Sequence, residues 1–255
     1  EVFHNFTLLH DDVMDKAEVR RGRPTVHIQW NENTAILSGD QMMIEAYKLL
    51  AEVPESKLHK VLRLFNEMAT EICEGQQYDV DFESQEHVTI EEYLKMIRLK
   101  TSVLLATALQ IGSYLVGANE AQQEALYQFG INVGLAFQIQ DDILDVWGDP
   151  KTFGKAVGGD ISCNKKTYVY LTAQKLADDE LAEELHQWYG SVLDDNTEKI
   201  AAVKGIFEQL NVRAACEAVV EDYTQKALLI LDTLPQNAAT EQLRQLANKL
   251  NTRKD

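Results

Sequence analysis

Cysteine is scarce in this chain: Cys73, Cys163 and Cys216 are odd in number and far apart. That excludes a disulfide framework and fits reduced thiols. Positive charge is also short, with 24 Lys and Arg against 41 Asp and Glu and a formal charge of −17. Phosphate backbones and anionic membranes are held by clustered cations, so no nucleic acid and no membrane surface is expected as a partner. An anionic ligand must then be held by a few placed cations or by metal ions. No apolar run reaches ~18 residues without a charge, and no leader pattern opens the chain, so no membrane insertion is expected and the cytoplasm is the expected location. Linkers rich in Gly, Ser or Pro are missing too, which leaves one domain, 1–255, as the expected organisation.

What is present reads as helix. Apolar residues recur at three- and four-residue spacing in windows starting near residues 1, 34, 57, 89, 119, 165, 196, 212 and 238. The four prolines, Pro24, Pro54, Pro150 and Pro235, fall between those windows, where a missing N–H breaks no helical hydrogen bond. TYVYLT (167–172) has strand-like composition but stands alone, and is read as buried helix. The expected fold class is all-α, a single-domain helical bundle. The opening residues EVFHNFTLLHDD read as the interior of an amphipathic helix with no Met or cap before them, so native sequence is expected to precede Glu1.

Two segments share one spacing: DDVMD, with Asp11, Asp12 and Asp15, and DDILD, with Asp141, Asp142 and Asp145. Residues four apart on a helix share a face, so each segment offers a pair of carboxylates aimed together. Like charges so placed repel unless a cation neutralises them. Magnesium, which takes one or two carboxylates plus phosphate oxygens and water, suits two claws around a diphosphate; calcium suits them less, because no EF-hand loop is present. A solvated acidic helix face is the plainer alternative for one such motif, and the duplication weakens it.

Cations and flexible turns follow each cluster. RRGRP places Arg20 and Arg21 beyond the first helix, with Gly22 and Pro24 forcing a turn. After the second cluster a glycine-rich loop holds Lys155, Asp160 and Lys165. In RLKTSVLLATALQ, Lys100 and Thr101 enter an apolar helix. A buried lysine there needs an anionic partner such as a diphosphate oxygen, whereas a snorkelling one does not. Thr101 offers a hydroxyl or, if the helix is locally distorted, a carbonyl to a cationic intermediate. His10, His27, His59, His87 and His186 show no mutual ligand spacing and are read as structural or surface residues.

In this order, DDVMD with RRG, then FQIQDDILDVWGD with its GK and D…NKK loop, the motifs resemble those of the trans-isoprenyl diphosphate synthases, the farnesyl and geranylgeranyl diphosphate synthase family. The resemblance runs from residue 1 to about residue 170. It implies an isoprenoid synthase bundle around a central cavity, three magnesium ions and a homodimer. It further implies that Asp11, Asp15 and Asp141 bind metal directly, with Asp12, Asp142 and Asp145 assisting. Arg20, Lys100, Thr101, Gln138, Lys155 and Lys165 would surround an allylic diphosphate (dimethylallyl, geranyl or farnesyl). His4 and Arg21 would face isopentenyl diphosphate. Gln76 and Asp79 match the family's GQxxD segment, and Phe137 would pack near the isopentenyl tail. The family's Gly-Lys-Xaa-Xaa-Arg segment does not occur before Asp11.

The implied reaction ionises the allylic C–O bond, joins the cation to the isopentenyl double bond and releases a proton, without a side-chain base. A class I terpene cyclase and a noncatalytic subunit are the rivals. The first should carry an Asn/Ser/Glu-type second motif, and the second should have lost aspartates or basic residues. Phe6 and Thr7, five and four residues before Asp11, are candidates for setting chain length, with Phe6 either flooring the pocket or serving as a core aromatic. Fifteen- or twenty-carbon products are expected from the resemblance.

Overall fold

The computed structural model describes residues 1–149, 157–191, 193, 195–251 and 253. The chain forms two compact units, Glu1–Asn66 and Glu67–Asp255. As the periodicity predicts, the fold is all-α.

The first unit contains α1 (Val2–Met14), the paired strands β1 (Val19–Arg20) and β2 (Arg23–Pro24), α2 (Val26–Gln29), α3 (Glu32–Leu50) and the first turns of α4 (Glu55–Ser84). Asn31 caps α3 by accepting from the Thr34 N–H at 2.9 Å. A Cβ at Gly39 of α3 would lie 2.3 Å from His10 Nε2, so glycine admits the His10 ring of α1 against α3. Phe3 is buried edge-on between Phe6 and Phe65, at 5.4 and 5.0 Å between centroids. The expected turn after α1 is a two-residue hairpin: Arg20 pairs with Arg23, and both Arg21 (φ +53°) and Gly22 (φ +73°) are left-handed. This is the turn hand that matches the twist of paired strands. Glycine adopts it freely; Arg21 adopts it at a cost.

The second unit contains the rest of α4, α5 (Ile90–Ile97), a π-turn (Arg98–Ser102), α6 (Val103–Leu115), α7 (Glu120–Trp147), α8 (Gly159–Ser162), α9 (Tyr168–Leu176), α10 (Asp179–Tyr189), α11 (Thr197–Gln209), α12 (Val212–Asp232) and α13 (Ala238–Asn251). Reciprocal capping boxes start α5 (Thr89 with Glu92) and α7 (Asn119 with Gln122). Residues 129–131 and 133–136 of α7 are buried in near-continuous runs, which identifies a helix covered on several sides. Its Phe129 and Val133 share a core with Ala227 and Leu231 of α12, Leu234 and Ala247.

Three glycines let backbones touch in this unit. A Cβ on Gly130 would lie 2.4 Å from Ala106 Cα, one on Gly134 would lie 2.5 Å from Ser102 Cα, and one on Gly75 of α4 would lie 2.4 Å from the Lys100 N. The π-turn is thus held tightly between α4 and α7. TYVYLT is buried helix in α9, as expected. The helix α10 was not anticipated: it is polar, with only Leu185 and Tyr189 buried.

Candidate active site

Asp11 and Asp12 occupy the last turn of α1 and Asp15 is its C-cap, with no basic residue in that turn. The carbonyl end of a helix is already negative, so three carboxylates there demand a cation. Arg20 supplies one. Its Nε donates to Asp12 Oδ1 at 2.7 Å and its Nη2 to Asp11 Oδ2 at 3.3 Å. Asp12 is buried, and burial raises its pKa against the pull of Arg20. Asp11 is half-buried and Asp15 exposed. Arg20, expected beside an allylic diphosphate, is therefore joined to the first cluster.

His4 feels the charge of Arg21. Burial lowers the His4 pKa against the opposing charge of Glu1, and Arg21 lowers it further. Thr7 donates its hydroxyl to the His4 carbonyl at 2.8 Å, so that group serves its own helix. Phe6 is half-buried, edge-on to Phe3 and to His10 at 4.8 Å.

The second cluster repeats the electrostatic situation. Asp141, Asp142 and Asp145 lie in the last two turns of α7, again with no basic residue in the last turn. Their surroundings differ sharply from one another. Asp142, 4% exposed, accepts from the Tyr93 hydroxyl at 2.5 Å, the Tyr168 N–H at 2.9 Å and Gln138 Nε2 at 3.5 Å. Burial, then the charge of Asp160, raises its pKa well above the usual carboxylate range, while the bonds from Tyr93 and Tyr168 oppose that shift. Asp142 thereby ties α5 and α9 to α7. Asp145 accepts from the Asp160 N–H at 3.1 Å, and its carbonyl accepts from the Gly158 N–H at 2.7 Å, which fixes the start of α8. Asp141 is met by the Arg253 guanidinium, which also lies 4.0 Å from the centroid of the Phe137 ring. Sequence reasoning missed Arg253, because a lone arginine in a polar C-terminal stretch gives no signal.

Lys100 and Thr101 both fall on the π-turn, the local distortion that would turn a carbonyl aside. The Lys100 ammonium lies 2.6 Å from Asp79 Oδ2. That pairing links GQxxD to the π-turn and supplies the anionic partner which the sequence reading sought in a diphosphate. Thr101 donates to Gln138 Oε1 at 3.1 Å, so hydrogen bonds run from the π-turn through Gln138 to Asp142. Gln76 Nε2 is buried with no protein partner among the described residues. The Lys165 N–H donates to the Asp160 carbonyl at 2.9 Å. Lys155 lies outside the described residues.

Among the described residues, no group of three His, Cys, Asp or Glu side chains forms a metal cage. Arg20 and Arg253 draw their carboxylates toward themselves, and Asp142 and Asp145 accept from the protein. Magnesium needs no such cage, since one or two carboxylates suffice when phosphate oxygens and water complete the octahedron. At each of these helix ends, considered by itself, the acidic oxygens stand in a last turn without a basic residue, which suits that ion.

Residues 1–210 match the family model described as polyprenyl synthetase. The chain belongs to the polyprenyl synthetase family. It is 43% identical over 192 residues to a short chain isoprenyl diphosphate synthase of Methanocaldococcus jannaschii, a match covering 75% of this chain and 58% of that protein. A crystal structure of geranylgeranyl pyrophosphate synthase matches with a TM-score of 0.93 and 47% identity, covering all of this chain and 79% of the other. The Corynebacterium glutamicum geranylgeranyl pyrophosphate synthase, solved with isoprenyl diphosphate and magnesium, matches at TM-score 0.89 and 28% identity over 99% of this chain and 76% of its own.

Proposed function

We propose that this member of the polyprenyl synthetase family is a short-chain trans-prenyltransferase that condenses an allylic diphosphate with isopentenyl diphosphate to give farnesyl and/or geranylgeranyl diphosphate. The observation that carries the reading is the pair of aspartate clusters at the carbonyl ends of α1 and α7, neither balanced by a basic residue in its last turn. The names of the relatives favour it over a terpene cyclase. The working form is a homodimer, and no described helix is long and apolar enough to cross a membrane.

Magnesium, three ions by the family resemblance, supplies Lewis-acid stabilisation of the departing diphosphate when bound. Asp11, Asp15 and Asp141 would hold it. Lys100, Lys155 and Lys165 add positive charge where the leaving group gains negative charge. The Thr101 main chain, on the π-turn, would offer its carbonyl to the allylic cation. The C–O bond to diphosphate breaks, the isopentenyl double bond forms the new C–C bond, and a proton leaves, taken up by the released diphosphate. Incubation with magnesium, isopentenyl diphosphate and primers of five, ten and fifteen carbons should yield fifteen- or twenty-carbon diphosphates by mass. Cyclised hydrocarbons, or no elongation with any primer, would reject the reading.

Two substitutions test the substrate assignments. Arg21→Ala should raise the Michaelis constant for isopentenyl diphosphate by roughly tenfold or more and that for the allylic partner far less, since a charge-assisted contact is lost on one substrate alone. Arg20→Ala should reverse that bias. Equal shifts in steady-state kinetics would show that the two arginines do not divide the substrates. Phe6→Ala should deepen the pocket and lengthen the product by one or more five-carbon units, because the ring lies on α1 more than one turn before the first aspartates. Unchanged product masses with activity retained would leave Phe6 as a partner of Phe3 and His10 only.

A further inference from the structure

We propose that Lys199 is a positioning residue for diphosphate binding, acting through Asn164 to hold the segment that carries Lys165; this rests on the prenyltransferase reading. Lys199, on α11, is 0% exposed. Its ammonium meets Asn164 Oδ1 and donates to the Ser191 carbonyl at 3.1 Å, with no carboxylate paired to it among the described residues. Burial pulls its pKa below the ordinary value. A charge kept from water without a counter-charge is costly, so a lysine in this place needs a reason beyond filling space.

The reason lies in what it fastens. Asn164 takes a left-handed conformation (φ +56°) in the turn between α8 and α9, which brings its amide oxygen to the Lys199 ammonium. Two residues on, the Lys166 ammonium donates to the Phe82 carbonyl at the end of α4, at 2.8 Å. Lys165 sits between these fastenings. Its N–H binds the Asp160 carbonyl, and the Asp160 N–H binds Asp145 of the second cluster. Contacts thus lead from a buried cation to the base of the lysine assigned to the diphosphate and on to the last aspartate of DDILD. A neutral side chain of similar length, such as methionine, fills the volume but cannot donate to two acceptors from different parts of the chain.

The test uses the intact chain with Lys199→Met, Asn164→Gly, which keeps the left-handed turn available, and the double variant. Amide hydrogen exchange over residues 163–167 should quicken by about tenfold or more in each, while the melting temperature moves little. The Michaelis constant for the allylic diphosphate should rise about tenfold and that for isopentenyl diphosphate less than about twofold, which a general loss of packing would not separate. The double variant should fall well short of the sum of the single ones, because both lose the Lys199–Asn164 contact, and each loses besides only its own bond to the Ser191 carbonyl. Unchanged exchange, equal shifts for both substrates, or additive effects would overturn the proposal. Should Lys199→Met fail to fold, Asn164→Gly carries the same measurements. If the wild type elongates no allylic diphosphate, the proposed function falls, while exchange at 163–167 still decides whether Lys199 holds the segment.

Discussion

Asp11→Asn and Asp141→Asn are each expected to lower turnover by about 10²–10³-fold, the scale set by removing one preorganised group that meets charge as it develops. Asparagine keeps the size of the side chain and one oxygen, so Arg20 can still bond residue 11 and Arg253 residue 141. Circular dichroism should therefore be unchanged. Stability should change little. Each substitution removes a negative charge from a carbonyl helix end with no basic residue in its last turn, relieving on the order of 0.3–1 kcal/mol of repulsion. Against that gain it gives up the charge of one ion pair, Asp11 with Arg20 or Asp141 with Arg253. A variant that melts close to wild type yet barely turns over is the signature of residues placed for function rather than for stability. Near wild-type rates with either asparagine would remove the metal assignment.

Gly134→Ala is expected to cost on the order of 1–3 kcal/mol, the usual range for overpacking, and toward its upper end. The added methyl would sit 2.5 Å from Ser102 Cα and 2.6 Å from Ser102 Oγ, and a main-chain atom cannot rotate aside. At ~2–4 °C per kcal/mol for a chain of this size, the melting temperature should fall by roughly 5–10 °C. Relief can come only from moving the π-turn away from α7, which would break the bond from Thr101 to Gln138. Residual turnover should thus fall even well below the new melting temperature. Adding Ser102→Gly removes Oγ and Cβ but not Cα, so calorimetry should show partial recovery. Full stability in the single variant would mean that α7 and the π-turn are less closely packed than described.

Much of this was legible in the sequence because it is local. Three- and four-residue periodicity marked α3, α4, α7, α12 and α13, and Gly22 marked the hairpin turn. The two aspartate clusters were visible from their repeated spacing. The sequence offers Thr101 as a carbonyl donor of electron density only if its helix is locally distorted, and a π-turn is present there. What escaped notice depends on distant partners. Nothing in DDILD distinguishes its three carboxylates, yet Asp142 is committed to Tyr93 and Tyr168, 49 and 26 residues away in sequence. Arg253 reaches Asp141 across 112 residues. The role of Gly75 is equally hidden, because a glycine inside a helical pattern does not name the backbone that presses against it.

A π-turn carries one residue more than the α-turn it replaces, and that extra residue sets the phase of everything before it relative to everything after. Removing any one residue between 98 and 102 would leave a smoother helix but rotate α5 against α6 by ~100°. Tyr93 could then keep Asp142, or Ala106 could keep its seat on Gly130, but not both. The segment is therefore constrained in length as well as in composition. A substitution at half-buried Arg98 gives up its pairing with Glu71 and leaves the phase of the helix unchanged, whereas a single-codon deletion there would uncouple two halves of the bundle that are otherwise intact.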